Sequence, residues 1–531
     1  MAVCYLSLML GVIVFAGVLP SSSSSDTRQF HFNVQWNEVR RLCHTKPLLT
    51  VNGKYPGPTI AVNEGDNVEI KVTNSVDINT TVHWHGIKQL RTGWADGPAY
   101  VTQCPIRRGQ SYTYMFSVTQ QRGTLFWHAH HSWQRASVYG AFIIYPRFSY
   151  PFKSPSIHAE FPVIFGEWWN SDVHAVEKEM LDYGGGPNVS DAYTINGLPG
   201  PLYPCSQQDT LIQTVDQGKT YMLRIINAAL NSELFFAVAH HTLTVVEIDA
   251  IYTKPFTIQA IMVAPGQTIN VLLTASATRD QILQSSGMFV MAARPYLTSN
   301  MLRSLGSVDY PCNVPKIIDK RVITTISLNL QDCPPNQSCK GLYGKRFLAS
   351  MNNQSFVRPS MSILECHYRK LAACSRSYNF PEKPPHAFNY TSVDPLTENM
   401  NAEFGTKLLA VPYGTRLEIV LQDTAFLNVE NHPIHFHGHN FFIVGTGVGN
   451  FDASKDPKNY NLVDPPERNT VAVPSGGWAA IRINADNPGV WFVHCHLEAH
   501  TSWGLAAALV VKDGPLPSQR MIPPPLDLPA C

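Results

Sequence analysis

His494-Cys495-His496, near the C-terminus, places a thiol between two imidazoles, and His500 follows five residues after the cysteine. Successive side chains of a strand point to opposite faces. On a strand, His494 and His496 would face one way and Cys495 the other, so one short segment could serve two metal sites. The plainer alternative is a buried thiol beside core histidines, and the rest of the chain argues against it. Histidine pairs of the same spacing recur at His83-Trp84-His85, His128-Ala129-His130 and His435-Phe436-His437. Burying eight imidazoles in four such pairs without metal would be costly, because each ring nitrogen needs a partner. His432 lies three residues before His435. With Cys495 and His500 it forms a two-histidine, one-thiolate set, the donor set of a blue-copper electron-transfer site. The usual axial methionine of such a site would fall near Leu505, and leucine cannot coordinate. A site without a thioether favours copper(I), which predicts a raised reduction potential. Zinc fits less well: its structural sites take four ligands and commonly pair cysteines, whereas here one cysteine accompanies ten histidines.

A repeat positions these residues. A glycine followed by alternating apolar residues and a polar turn occurs at 65–74, 218–227 and 414–423. Each reads as a turn feeding a half-buried strand. A second strand pattern follows Gly109, Gly266 and Gly476, and a third follows Gly123, Gly287 and Gly489. Five residues after the third glycine come His128, Ala292 and His494; two further on come His130, Arg294 and His496. Between them lie Ala129, Ala293 and Cys495. The region of the middle unit that would match the other histidine pairs, around Phe236 and Val238, is apolar. Three similar all-β units in tandem are expected, each a sandwich or Greek-key barrel. We place them at residues 26–147, 156–326 and 341–531, with 327–340 as a linker. The first and third units would clamp a metal cluster between them, and the middle unit would contribute no ligands.

The chain has 531 residues, more than one core usually holds. A net charge of +1 with 15% charged residues gives no sign of a nucleic-acid partner or a membrane-surface role. Residues 6–18 form a short apolar run before Pro20 and a serine run. This reads as a secretory signal over residues 1–25, although it opens without Lys or Arg. No later stretch is long and apolar enough to span a membrane, so a secreted, extracellular protein is expected. Of 11 cysteines, Cys4 leaves with the signal. With Cys495 as a ligand, an odd number remains, so at least one is unpaired. Sequons at Asn79, Asn188, Asn336, Asn353 and Asn389 make glycosylation an expectation.

From about Phe30 to Cys531, the sequence resembles the multicopper oxidases, and most closely the plant laccases. The four histidine motifs carry the likeness. Trp94-Ala95-Asp96-Gly97-Pro98, Tyr193-Thr194-Ile195-Asn196-Gly197, Glu467-Arg468-Asn469-Thr470 and Asp527-Leu528-Pro529-Ala530-Cys531 narrow the branch. The resemblance implies three cupredoxin-like domains and four copper ions. His432, Cys495 and His500 would bind the type 1 copper, and His83 and His435 the type 2 copper. His85, His128, His130, His437, His494 and His496 would bind the type 3 pair. Asp96 and Glu498 occupy the positions of carboxylates that assist proton delivery to oxygen. Cys43 would pair with Cys205 and Cys104 with Cys531, whereas Cys312, Cys333, Cys339, Cys366 and Cys374 stay unassigned. His131 and His439 depart from the usual plant pattern beside ligands. The implied activity is one-electron oxidation of small phenolics, such as monolignols or flavonoids, coupled to reduction of O₂ to water. The implied setting is a monomer in the apoplast or cell wall. The competing readings are an ascorbate oxidase, a ferroxidase, which would need acidic residues near His432 or His500 that the sequence does not locate, and a copper-binding cell-wall protein without turnover.

Overall fold

The computed structural model describes residues 26–152, 156–295, 313–372, 377–392, 400–427 and 430–531. The segment expected to be a signal, together with Cys312 and Cys374, lies outside the described residues. The repeat is visible as strand pairing. Asn67–Asn74 runs antiparallel to Ser111–Ser117, Thr220–Asn227 to Thr268–Thr274, and Thr415–Asp423 to Gly477–Ala485. The facing layer repeats as well: Val82–His85 pairs with Gly123–Ala129, Leu234–Val238 with Met291–Pro295, and His432–Phe436 with Gly489–Cys495.

The sheets come in facing pairs. Two four-stranded sheets form the first unit, a six- and a three-stranded sheet the second, and an eight- and a five-stranded sheet the third. Each pair closes on its own apolar core. Phe32, Ile70, Trp84, Trp127 and Phe142 fill the first, Phe165, Leu223, Phe236 and Val271 the second, and Ile419, Phe436, Ile481, Trp491 and Leu509 the third. Fully burying such a side chain is worth roughly 1.5–3 kcal/mol, and alternation along each strand delivers every second residue to that face.

One expected boundary is corrected. The strand Lys320–Gln331 is not the end of the second unit with a linker behind it. It pairs in parallel with Thr415–Asp423 and antiparallel with Arg346–Met351, in the eight-stranded sheet of the third unit. The third unit therefore begins by Lys320 rather than at residue 341, and the span 327–340 is largely the end of this strand and the turn after it. The strand reads as the end of the second unit because it follows that unit in sequence; its membership is decided by its pairing partners, one of them nearly a hundred residues away.

Both disulfides expected from the family form, and both join distant parts of the chain. Cys43–Cys205 links the first unit to the second, and Cys104–Cys531 links the first unit to the C-terminus. Cys333–Cys339 closes a short loop, and Cys366 is also disulfide-bonded. Among the described residues Cys495 alone is free, and it is buried. No helix among the described residues is long and apolar enough to cross a membrane.

Candidate metal centre

Strand register brings the histidines face to face. His83 stands opposite His128 in the first unit, and His435 opposite His494 in the third. The matching position of the middle unit holds Ala237 opposite Ala292, a methyl pair where its neighbours offer imidazoles. His130 and His437 lie just past the strand ends, where their N–H groups donate to the Thr81 and Phe492 carbonyls, each at 3.0 Å.

The rings of the first and third units interleave. His85, His128 and His496 form one buried set, and His130, His437 and His494 a second; His83 and His435 join His85 in a third. Within each set the donor atoms lie within 4.8 Å of one another. Hydrogen bonds fix which ring nitrogen faces inward. Nδ1 of His83 meets the Asp96 carbonyl at 2.7 Å, Nδ1 of His128 the Ala129 carbonyl at 2.9 Å, and Nδ1 of His435 the Asn469 carbonyl at 2.9 Å. A carbonyl only accepts, so each Nδ1 carries the proton and each Nε2 is a bare lone pair. All three Nε2 atoms are buried without a partner. The Nε2 atoms of His437 and His494 approach to 3.2 Å, although the Nδ1 of each faces an oxygen, of Asp96 and Cys495 respectively. Lone pairs crowded in this way fit a bound cation. Burial, reinforced by neighbouring imidazoles and Arg135, holds His85, His128, His130, His435, His437, His494 and His496 well below the ordinary histidine pKa. The rings are therefore neutral and available as ligands. An all-imidazole donor set suits copper.

Asp96 follows the short 3-10 turn Gly93–Ala95 and is fully buried. Its carboxylate accepts from His437 Nδ1 at 2.9 Å and lies 3.3 Å from His83 Nδ1, so it touches both domains' ligands. Burial raises its pKa. Gly97 makes this approach possible. Its φ is +104°, and a Cβ there would lie 1.9 Å from the Val82 carbonyl oxygen. Glu498 opens the helix Glu498–Ser502 and is set further back. It pairs with Arg135 at 3.1 Å, and Arg135 reaches His496 Nδ1 at 2.9 Å. Glu498 also lines a cavity of about 480 Å³ with Ser132, Glu177, Arg358, Phe492 and Trp503. Phe492 stacks on His494 there, with ring centroids 4.7 Å apart.

Cys495 points to the opposite face of its strand, into the apolar core of the third unit. Its Sγ lies 3.6 Å from His500 Nδ1 and 3.8 Å from His432 Nδ1. Burial raises the thiol pKa, so a thiolate at this position calls for a cation. Leu505 is fully buried in the same core, and its carbonyl accepts the Cys495 N–H at 3.1 Å. The outward nitrogens of the two histidines meet carboxylates: His432 Nε2 lies 3.3 Å from Asp423, and His500 Nε2 lies 3.1 Å from Glu430. The first pair is sealed, with side chains 2% and 1% exposed, whereas Glu430 is 26% exposed. Of the two ring edges, that of His500 therefore meets the more exposed carboxylate.

His131 and His439 join no donor set among the described residues. His131 precedes a turn and is pushed down to about 4 by burial and by Arg358; His439 stands edge-on to Trp491 and is also pushed down to about 4, by burial. Sequence reasoning missed Arg135, Asp423, Glu430 and the buried Glu233, which accepts from Asn431 at 3.1 Å. None belongs to a histidine motif; Glu430 lies two residues before His432 and Arg135 five after His130, but neither spacing shows which ligand the side chain reaches.

Comparison with known proteins identifies the family. Residues 33–149, 159–304 and 379–515 each match the multicopper oxidase family. The chain is 64% identical to Laccase-1 of Arabidopsis thaliana over 98% of each sequence, and 51% identical to Laccase-4 of Oryza sativa subsp. japonica over 95% of each. The crystal structure of a laccase from Botrytis aclada superposes with a TM-score of 0.69 at 26% identity, covering 92% of this chain and 88% of that one. Fet3p, a multicopper oxidase that functions in iron import, shares the fold at a TM-score of 0.71 and 24% identity, over 95% and 98% of the two chains. The chain belongs to the multicopper oxidase family and, within it, to the plant laccases.

Proposed function

We propose that this laccase divides its labour between the two faces of the strand Gly489–Cys495. His432, Cys495 and His500 hold the type 1 copper. His83 and His435 hold the type 2 copper, and His85, His128 and His496 with His130, His437 and His494 hold the type 3 pair. Bound copper supplies the one-electron acceptor for the phenolic donor and the four-electron reduction of O₂ to water. The chain supplies the rest. A phenol meets the protein at the His500 edge, the more exposed of the two. The Cys495 backbone joins the two centres directly, since His494 and His496 are its immediate neighbours. Asp96 holds the Nδ1 proton of His437 and is placed to pass protons toward the cluster, and Glu498 faces the cavity from which protons and O₂ reach it. Phenoxyl radicals leave and couple without the enzyme.

The observation that carries this reading is the separation of donors by strand alternation, with the thiol on one side and the imidazoles on the other. Monolignols, flavonoids and similar phenols are the donor class, and the protein acts as a secreted monomer in three domains. Asn188, Asn336 and Asn389 are exposed, as glycosylation requires. Purified protein is expected to hold four coppers per chain and to show an intense blue band. Cys495→Ser should lose the band and phenol oxidation together; full copper loading without a blue band in the native protein would reject the type 1 assignment. Asp96→Asn should slow turnover about 100-fold or more while anaerobic reduction of the type 1 centre by a phenol stays fast. Equal slowing of both steps would remove Asp96 from proton delivery. An ascorbate preference in parallel assays would favour the ascorbate oxidase alternative.

A further inference from the structure

The middle unit has no ligands, yet it touches the cluster at two places. The first runs through Asp249, a buried carboxylate of that unit. Its Oδ1 accepts from Thr268 N–H at 3.0 Å, within the unit. Its Oδ2 accepts from Arg468 Nε at 2.8 Å and from the N–H groups of Asn469 and Thr470 at 3.4 Å, all in the third unit. Gln267 of the middle unit adds a bond from Nε2 to the Thr470 carbonyl at 3.4 Å. The segment held in this way faces the histidines. The Asn469 carbonyl accepts from His435 Nδ1, and Thr470 Oγ1 lies 3.0 Å from that atom and 3.3 Å from His85 Nε2.

His85 differs in orientation from His83, His128 and His435. Its Nε2 is turned toward Thr470, and its Nδ1 lies 3.2 Å from His496 Nε2, within the donor set. The ring could present either nitrogen after a flip. The Thr470 hydroxyl is the polar group that meets Nε2 and so selects Nδ1 for the cluster. His85 and His435 stack with centroids 3.7 Å apart, so one hydroxyl meets a ring from each flanking unit. The second contact is steric. Gly266, with φ +86°, lies so close that a Cβ would come 2.8 Å from the His496 ring. The middle unit thus backs His496 with bare backbone.

We propose that Thr470 is a positioning residue of the oxygen-reducing cluster. Anchored by Asp249 of the middle unit, it sets the ring orientation of His85 and adds a second contact to His435 beside the Asn469 carbonyl, while Gly266 backs His496. This rests on the ligand assignment above. Outer groups that orient ligands change metal affinity by about 10- to 100-fold when removed, so the effect should be visible in metal content and in spectra rather than in activity alone.

The test compares Thr470→Val, Thr470→Ser and Asp249→Asn in the full copper-loaded chain. It reads copper per chain after dialysis against a graded chelator, the blue band, and the type 2 paramagnetic resonance spectrum. Thr470→Val is expected to release cluster copper at about 10-fold lower chelator or less, with altered type 2 hyperfine splitting and an unchanged blue band. Thr470→Ser, which keeps the hydroxyl, should stay near the native values, and Asp249→Asn should fall between the two. Gly266→Ala should lose type 3 copper with the type 2 signal kept. The proposal is overturned if Thr470→Val matches the native protein. It is also overturned if Thr470→Val and Thr470→Ser fail alike, or if the blue band is lost in step with the cluster. If the native protein lacks four coppers or the blue band, the ligand assignment itself has failed, which the native control reports before any variant is made.

Discussion

Cys495 sits one peptide bond from a cluster histidine on either side, and the alternation of its strand sends the thiol away from both. That much followed from the letters, because two-residue spacing on a strand fixes which side chains share a face. Leu505 was also legible, as a residue type that cannot coordinate where a thioether is usual. The structure places it fully buried beside the Cys495 backbone. Leu505→Met conserves volume, so it should cost less than about 1.5 kcal/mol of stability. It brings a weak axial donor to the oxidised centre and should lower the type 1 potential. Redox titration of the blue band checks this; an unchanged or raised potential would show that the side chain does not reach the metal. The carboxylates that meet the outer ring nitrogens were not legible. Asp423 ends a strand nine residues before His432, and Glu430, two residues before His432, turns instead to His500, seventy residues further on. A sequence shows which residues could bind metal, whereas these groups are assigned only by which chains come to lie beside the ligands.

At the scale of elements, the triplet of strands in each unit was readable because glycine turns and apolar alternation repeat in the same order. The histidines of the first and third units fall at the cross-strand position that Ala237 and Ala292 hold in the second. The boundary before the third unit was not readable. Lys320–Gln331 has the same alternating pattern as its neighbours, and its place in the eight-stranded sheet depends on parallel pairing with Thr415–Asp423, which no local signal encodes. The turn that carries Asp96 shows how strictly an element can be set by one residue. A side chain at Gly97 meets backbone, not a flexible neighbour, and the φ of +104° disfavours any L residue. Gly97→Ala should therefore destabilise the first unit by about 2 kcal/mol or more and draw Asp96 away from His83 and His437. Thermal denaturation would show the first effect, and loss of cluster copper with the blue band kept would show the second. A fully stable, fully loaded variant would mean that the turn tolerates a shift the geometry does not allow.

On the scale of the whole molecule, the middle unit is joined to its neighbours through buried acids as well as apolar surface. Glu247 of that unit accepts from the Thr124 N–H of the first unit at 2.7 Å, four residues before His128. Burial raises its pKa to about 7, against the opposing pull of Arg224. Glu233, facing the third unit, is raised to about 7 by burial as well. In the unfolded chain both carboxyls titrate near the ordinary glutamate value of about 4.3. Between that pH and about 7 the folded state holds protons that the unfolded state has released, so stability falls as pH rises through this window. Below it both states are protonated and the difference vanishes; above it the full cost is present, on the order of 3 kcal/mol for each acid. Glu247→Gln keeps an acceptor for Thr124 and removes the charge. The variant should match the native protein near pH 4, gain on it steadily up to pH 7, and then hold a constant advantage. Melting curves of both proteins at half-unit pH steps decide the matter. A constant offset across the range would show that Glu247 is already ionised in the folded protein, its charge offset by Arg224 of the same unit, and that Thr124 meets a carboxylate rather than a neutral acid.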